Sequence, residues 1–157
     1  AEAETRGQAM AIAENLYIMS ELAVPIVIVV VGQGGSGGAL GVGVGNVILM
    51  QEYAVYCVAP PEACSGIIWK DSGEHASEAA AGLKLTAQDL LRFGVVDEIV
   101  AEPAGGAHRD TQLAFRGVRD ALKRHLPRLK QLAPDQLVGQ RYDKFRSIGV
   151  YDEMTVA

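Results

Sequence analysis

Three features of the sequence predict an α/β layered fold. From Leu22 to Gln51 the chain runs 30 residues without a charge. Two stretches inside that run, residues 24–31 and 46–50, are dense in Val and Ile with no polar alternation, as strands covered on both faces are. Between them eight of the 18 glycines fall from Gly32 to Gly45, and helix-period apolar stripes flank the whole block.

The elements follow in order. Over residues 6–22, Ala9, Ile12, Ala13, Leu16 and Met19 recur at helical spacing. A strand is predicted over 24–31, with Pro25 at its start, where a missing N–H is tolerated. A tight glycine turn and a small-residue helix buried between layers then lead to a second strand, 46–50. A third, 54–59, is closed by Pro60-Pro61. A short helix begins at Ser65 and reaches Lys70. Residues 76–83 and 87–93 form two more, the latter with Thr86 as N-cap and Gly94 as its end. Residues 95–100 are a short strand that stops at Pro103. A long amphipathic helix is predicted over 111–132, with Phe115, Val118, Leu122, Leu126 and Leu129 on one face. A last helix covers 134–148.

Charge and composition exclude several function classes. Residues 1–100 hold 4 Lys/Arg against 12 Asp/Glu, whereas residues 101–157 hold 10 against 7. An acidic front half repels phosphate and argues against a nucleic-acid groove there. A bilayer span needs about 20 apolar residues, but Pro25, Gln33, Ser36 and Asn46 interrupt the uncharged run. Its flanks are Glu21 and Glu52, so no cation anchors either end, and no membrane span is expected. Cys57 and Cys64 and the three histidines, His75, His108 and His125, lack metal-ligand spacing, so no metal is expected on this chain. The two cysteines read as buried thiols of a reducing compartment. The chain opens without an initiator Met and is expected to be a piece of something longer.

The segment Gly32-Gln33-Gly34-Gly35-Ser36-Gly37-Gly38-Ala39 admits three chemistries. Residues 32–37 satisfy G-x-G-x-x-G, with Glu52 placed like the acid of a dinucleotide fingerprint. Only two helical turns separate Gly37 from Asn46, however, which is short for that crossover. Residues 34–38 satisfy G-x-S-x-G, with Ser36 as a nucleophile that would need His75 or His108 as base. In the third reading the glycines act through their backbone: successive N–H groups with no Cβ in the way donate to a negative oxygen. A purely structural reading, in which the glycines only permit close packing, stands beside these.

The runs GQGGSGGALGVGVGN, VAPPEACSGIIWK and KLTAQDLLRFGVVDEIVAEPAGGAHRD, with RYDKFRSIG near the end, resemble the carboxyltransferase α subunits of multi-subunit acetyl-CoA carboxylases. The resemblance runs from about Arg6 to Tyr151, in the right order, and corresponds to the C-terminal part of such a subunit. It departs at Gln33, where the family commonly carries an acid, and at Ala104, where it carries Leu.

The resemblance implies a crotonase-type spiral of ββα units. Residues 1–110 are then the C-terminal portion of the carboxyltransferase domain and 111–157 a helical extension. It implies transfer of a carboxyl group from carboxybiotin, held on a separate biotin carboxyl carrier protein, to acetyl-CoA. The product is malonyl-CoA, for fatty-acid synthesis. The implied partners are a zinc-ribbon β subunit, the carrier protein and biotin carboxylase, in an α2β2 arrangement of the transferase subunits. The implied place is bacterial cytoplasm or plastid stroma. Matched to the motif, Gly37 and Gly38 supply the backbone pair for the urea oxygen of biotin, and Gly34 and Gly35 shape the turn before it. A crotonase-fold serine peptidase using Ser36, or a non-catalytic assembly subunit, are the competing expectations. Glu62 is expected in a structural hydrogen bond, Trp69 in the core or an interface, and His108-Arg109 at a helix cap or a subunit interface. The basic face made by Arg116, Arg119, Lys123, Arg124, Arg128 and Lys130 is expected to be solvated.

Overall fold

A computed structural model describes residues 2–149; the end of the 111–157 extension, from residue 150 on, lies outside the described residues. The chain opens with α1 (Glu2–Thr5) and α2 (Gln8–Glu21). Then come β1 (Val27–Val30), β2 (Gln33–Gly35), α3 (Ser36–Leu40), β3 (Val47–Gln51) and β4 (Val55–Cys57). Three helices follow, α4 (Pro61–Ile68), α5 (Ala76–Leu83) and α6 (Ala87–Arg92), then β5 (Glu98–Val100), α7 (Thr111–Leu129) and α8 (Pro134–Ser147).

The strands form two parallel sheets, one ordered β1-β3-β5 and one pairing β2 with β4. In the first, Val27 sits opposite Val47 and Leu49 opposite Glu98; in the second, Gly34 sits opposite Tyr56. β3 lies at the centre, and all five of its residues are buried. Its pleat sends successive side chains to opposite faces. Ile48 and Met50 enter a core with Val30, Ala54, Ala87, Leu90 and Val96. Val47 and Leu49 enter a second core with Val100, Ala121, Leu129 and Leu137. The second core joins α7 and α8 to the sheet, so the helical extension shares its hydrophobic interior with the residues before it.

Several predicted elements are shifted. β1 meets a core on each face, Ile28 and Val30 on one side and Val27 and Val29 on the other. It lies at the sheet edge, however, so its first three residues are only half-buried, and Val24 and Val31 beside it are exposed. The expected tight glycine turn is made at Gly32, and the glycines after it, over 33–35, run as a short strand. α3 is only five residues long with none buried, and the chain crosses the interior instead as the irregular segment 41–46, where Gly41, Gly43, Val44, Gly45 and Asn46 are buried. Its polar groups find local partners: Gly43 N–H donates to Leu40 O (2.9 Å), Asn46 N–H to Ile26 O (2.9 Å), and Asn15 Nδ2 donates to Gly41 O (2.8 Å). α4 starts at Pro61, four residues before the expected Ser65, because proline suits the first turn of a helix. On α7 the buried stripe is Ala114, Ala121 and Leu129, while Phe115 is exposed. On α2 the stripe has the expected phase, with Ile12, Leu16 and Met19 half-buried, but no residue of the helix is fully covered.

The α8 side is fastened by one buried cation. Arg141, 1% exposed, donates from Nη1 to Met19 O (2.7 Å) and Ser20 O (3.1 Å), and from Nη2 to Leu22 O (2.8 Å), Val24 O (3.1 Å) and Asn46 Oδ1 (3.1 Å). It thereby satisfies carbonyls at the open C-terminal end of α2. Asn46 completes the hub, accepting from Ile26 N–H (3.1 Å) and donating to Leu137 O (2.8 Å). No helix among the described residues is long and apolar enough to cross a membrane.

Candidate active site

The glycine-rich segment turns twice within a few residues. Gly32, at φ +75°, redirects the chain from β1 into β2, a conformation that costs glycine little. Ser36 makes the second bend with φ +56°, unusual for a residue with a Cβ and a mark of a constrained site. Between the bends, Gly34 and Gly35 run as strand residues beside β4. Gly34 permits a close approach: a Cβ there would lie 2.7 Å from Tyr56 Cδ2.

Gly37 and Gly38 lie in the first turn of α3, where main-chain N–H groups precede the first intrahelical acceptors. The two differ in surroundings. Gly38 lines a cavity of about 410 Å³ together with Gly34, Gly35, Ala39, Val30 and Tyr56, and a Cβ on it would meet nothing within 4 Å. Gly37 lines a neighbouring cavity of about 450 Å³ with Ser36, Leu40, Cys57 and Val58, and a Cβ on it would touch Ile12 Cδ1 at 3.5 Å. Tyr56 borders both cavities. Burial pushes its phenol up from the ordinary value of 10.0, so the hydroxyl stays protonated and can donate. Sequence reading passed over Tyr56 as a strand residue; its place opposite Gly34 in the β2–β4 register is the signal that connects it to the site.

The segment lacks the partners of a serine nucleophile. No histidine or carboxylate lines the cavity that Ser36 borders. His75 is bound to Asp71 and His125 Nε2 lies 2.7 Å from Glu98. His108 lines two other cavities, of about 730 and 680 Å³, beside Val31 and Gln51 at the carboxyl ends of β1 and β3. The dinucleotide reading loses its helix, since five residues cannot supply the crossover.

The remaining candidates depart in part from expectation: among the described residues Glu62 makes no side-chain hydrogen bond, and Trp69, 39% exposed, is not a core residue. Glu62 is exposed in the first turn of α4, beside Gly73, where a Cβ on the glycine would lie 3.7 Å from its own. Trp69 stacks on His75, ring centroids 5.1 Å apart. Glu102 shapes the loop before His108 by accepting from Tyr53 N–H (3.1 Å) and Ala107 N–H (2.7 Å). On the basic face of α7, Arg124 pairs with Glu98 and Arg119 with Asp120. Cys57 and Cys64 are free, half-buried thiols. Among the described residues no group of three or more His, Cys, Asp or Glu could hold a metal ion.

Comparison with known proteins places this geometry in a family. Residues 1–149 match the family described as acetyl co-enzyme A carboxylase carboxyltransferase-like. The acetyl-coenzyme A carboxylase carboxyl transferase subunit alpha of Rhodopirellula baltica is 50% identical over 151 residues, covering 96% of this chain and 47% of the relative. Its counterpart from Geobacter metallireducens is 52% identical with the same coverage. The chain therefore spans about half the length of the curated relatives it matches. Among solved structures, a Pseudomonas malonate decarboxylase hetero-tetramer in complex with coenzyme A superposes with TM-score 0.67 at 18% identity, over 94% of this chain and 59% of that one. An enoyl-CoA hydratase/isomerase from Marinobacter aquaeolei gives TM-score 0.53 at 17% identity, over 84% of this chain and 48% of that one. These likenesses show a crotonase-type fold. With two parallel sheets, a glycine-rich bend and a match along nearly its whole length, the chain belongs to the acetyl co-enzyme A carboxylase carboxyltransferase-like family.

Proposed function

We propose that this chain is part of the α subunit of an acetyl-CoA carboxylase carboxyltransferase. In that reading it helps move a carboxyl group from carboxybiotin on a carrier protein to acetyl-CoA, forming malonyl-CoA. The observation that carries this is the open face of Gly38: its Cα borders a cavity walled by Gly34, Gly35 and Tyr56, with room for a flat ring to approach the backbone. Bound carboxybiotin supplies the activated carboxyl group. The chain's own contribution is to position and to stabilise charge. The N–H of Gly38 donates to the urea oxygen. That of Gly37, one residue earlier in the same helical turn, is the second member of the pair, although Gly37 borders the neighbouring cavity, and Tyr56 lines both cavities. Such preorganised donors act on charge that develops during the reaction, and cofactor chemistry of this kind needs no side-chain nucleophile. A zinc-ribbon β subunit, the carrier protein and biotin carboxylase are the proposed partners, with an α2β2 core in bacterial cytoplasm or plastid stroma. Residues 1–110 are proposed as the end of the carboxyltransferase domain and 111–157 as its extension, of which α7 and α8 pack onto the sheet.

The test uses the full-length α subunit purified with its β partner and assayed for malonyl-CoA decarboxylation in the presence of biocytin. Gly38→Val is expected to lower the rate by about 10²–10³-fold: valine keeps its backbone N–H, but its side chain blocks the approach of the urea oxygen, with an effect comparable to losing one oxyanion donor. The fold should survive, because the added Cβ enters open space. Ser36→Ala is expected to retain most activity. Unchanged transfer in Gly38→Val would leave the glycines a packing role only, and loss of activity in Ser36→Ala would return the serine to the chemistry.

A further inference from the structure

The segment between α4 and α5 carries a cluster that the carboxyl-transfer reading does not use. Asp71 is held on both oxygens. Oδ1 accepts from the hydroxyl of Ser65 (2.5 Å) and from Gly73 N–H (2.9 Å), and Oδ2 meets Nδ1 of His75. Ser65 is fully buried and also accepts from the backbone N–H of His75 (3.0 Å). The imidazole then lies flat on the indole of Trp69, with 9° between the planes. Asp71 and His75 thus close a ring of contacts that starts at Ser65 in α4 and returns to the first residue before α5. The backbone inside the ring is constrained: Lys70 stands at φ +60°, a conformation that persists in a residue with a Cβ only where its surroundings impose it.

From this geometry we infer a proton-controlled clamp: charged imidazolium at His75 holds the 69–75 segment closed between Asp71 and Trp69, and neutral imidazole loosens it. The positive ring gains a charge-assisted hydrogen bond to the carboxylate and a cation–π contact with the indole. The neutral ring keeps one ordinary hydrogen bond and loses the rest. The charged groups around His75 favour closure. Asp71 faces it directly, and Glu78, one turn into α5, adds a weaker attraction. Glu62 in α4 stands beside Gly73, while Lys70 and Glu74 are exposed within the segment. The hydrogen bond to Asp71 raises the histidine above its ordinary value of 6.5, against the opposing pull of desolvation. The hydrogen bonds from Ser65 and His75 hold Asp71 well below the usual carboxylate range. The sign follows: a histidine raised in the folded state adds stability below 6.5, and that contribution is lost as pH rises through the folded value.

Trp69 is the only tryptophan among these 157 residues, and the difference in emission between the full-length subunit and its Trp69→Phe variant isolates its report on the histidine stacked against it. In a titration of that difference, emission is expected to rise as the quenching imidazolium loses its proton, with a midpoint above 6.5. Asp71→Asn is expected to lower the midpoint by about one pH unit or more, and His75→Gln to abolish the transition. Glu78→Gln changes only an exposed side chain and is expected to give a smaller shift in the same direction, so a misfolded Asp71→Asn protein would not shield the inference. Tryptic cleavage after Lys70, measured against cleavage after Arg92, should rise through the same midpoint and lose its pH dependence in His75→Gln. A wild-type midpoint at or below 6.5, a transition that survives His75→Gln, a midpoint unmoved by both Asp71→Asn and Glu78→Gln, or a cleavage ratio flat with pH would each overturn the clamp.

Discussion

Replacing Arg141 with methionine tests the account of how α8 is fastened to the rest of the fold. Arg141 is 1% exposed and makes five hydrogen bonds, four of them to backbone carbonyls between Met19 and Val24. Methionine fills similar space but donates nothing. A buried acceptor left unpaired costs about 1–3 kcal/mol, so five such losses would be as large as the whole stability of an ordinary domain, about 5–15 kcal/mol. The sum does not apply in full. Ser20, Leu22 and Val24 belong to an exposed stretch, and water can reach their carbonyls once the guanidinium is gone. Asn46 Oδ1 keeps Ile26 N–H as donor. The expected loss is therefore that of one or two acceptors left unpaired, about 2–5 kcal/mol. Arg141→Lys retains the charge but not the fork, and should lose about half as much. Urea denaturation reads both, as a lower midpoint at unchanged slope. Amide exchange adds a local signature, because the N–H of Leu22, bonded to Ile18 O at 3.1 Å, should open sooner in Arg141→Met. A loss below about 1 kcal/mol, or exchange at Leu22 that does not change, would refute the view that this one side chain caps α2 and holds the two ends of the chain together.

Gly34→Ala should destabilise the β2–β4 pair by about 1–3 kcal/mol, since the new methyl would lie 2.7 Å from Tyr56 Cδ2; the double variant with Tyr56→Leu should recover part of the loss in a denaturant cycle, and strict additivity would disprove the contact. Burial of Glu98 pulls its carboxyl upward, but hydrogen bonds from His125 and Arg124 outweigh it and leave the group below its ordinary value of 4.5. Its contribution should therefore be full above 4.5 and fade as pH falls through the folded value, so the stability gap between wild type and Glu98→Gln should close in acid. Asp110 caps α7 by accepting from Leu113 N–H at 2.9 Å, and Asp110→Ala should cost about 1 kcal/mol in thermal unfolding.

What the sequence disclosed and what it concealed divide along a physical line. Local rules suffice where one segment's own chemistry decides its state. The charge-free Val/Ile runs became β1 and β3, Thr86 capped α6 as expected, and the apolar repeat of 111–132 became α7. Errors arose where a distant segment decides. β1 reads as fully buried because its composition matches β3; it does pack on both cores, yet only β3 has a strand on each side, and exposure at a sheet edge is a property of topology, not of composition. The expected face of α7 holds at Val118, Leu122, Leu126 and Leu129, and departs only at Phe115: that residue outranks Ala114 in hydrophobicity, but the close approach of α7 to the sheet admits alanine at Ala114 and Ala121 and leaves the larger ring outside. The candidate site follows the same division. Glycine-rich sequence after a strand marked the bend, and the family resemblance singled out the pair Gly37 and Gly38. Neither could show that the two border different cavities, or that Tyr56 lines both. Arg141 is the extreme case. In sequence it is one polar residue in a charged helix, and a solvated face is the expected place for it. Its carbonyl partners lie 117–122 residues away, and a cation becomes a core residue only after those carbonyls have been brought together. Burial of charge is thus set last in the order from sequence to packing, and it is where a reading based on local pattern has least to work with.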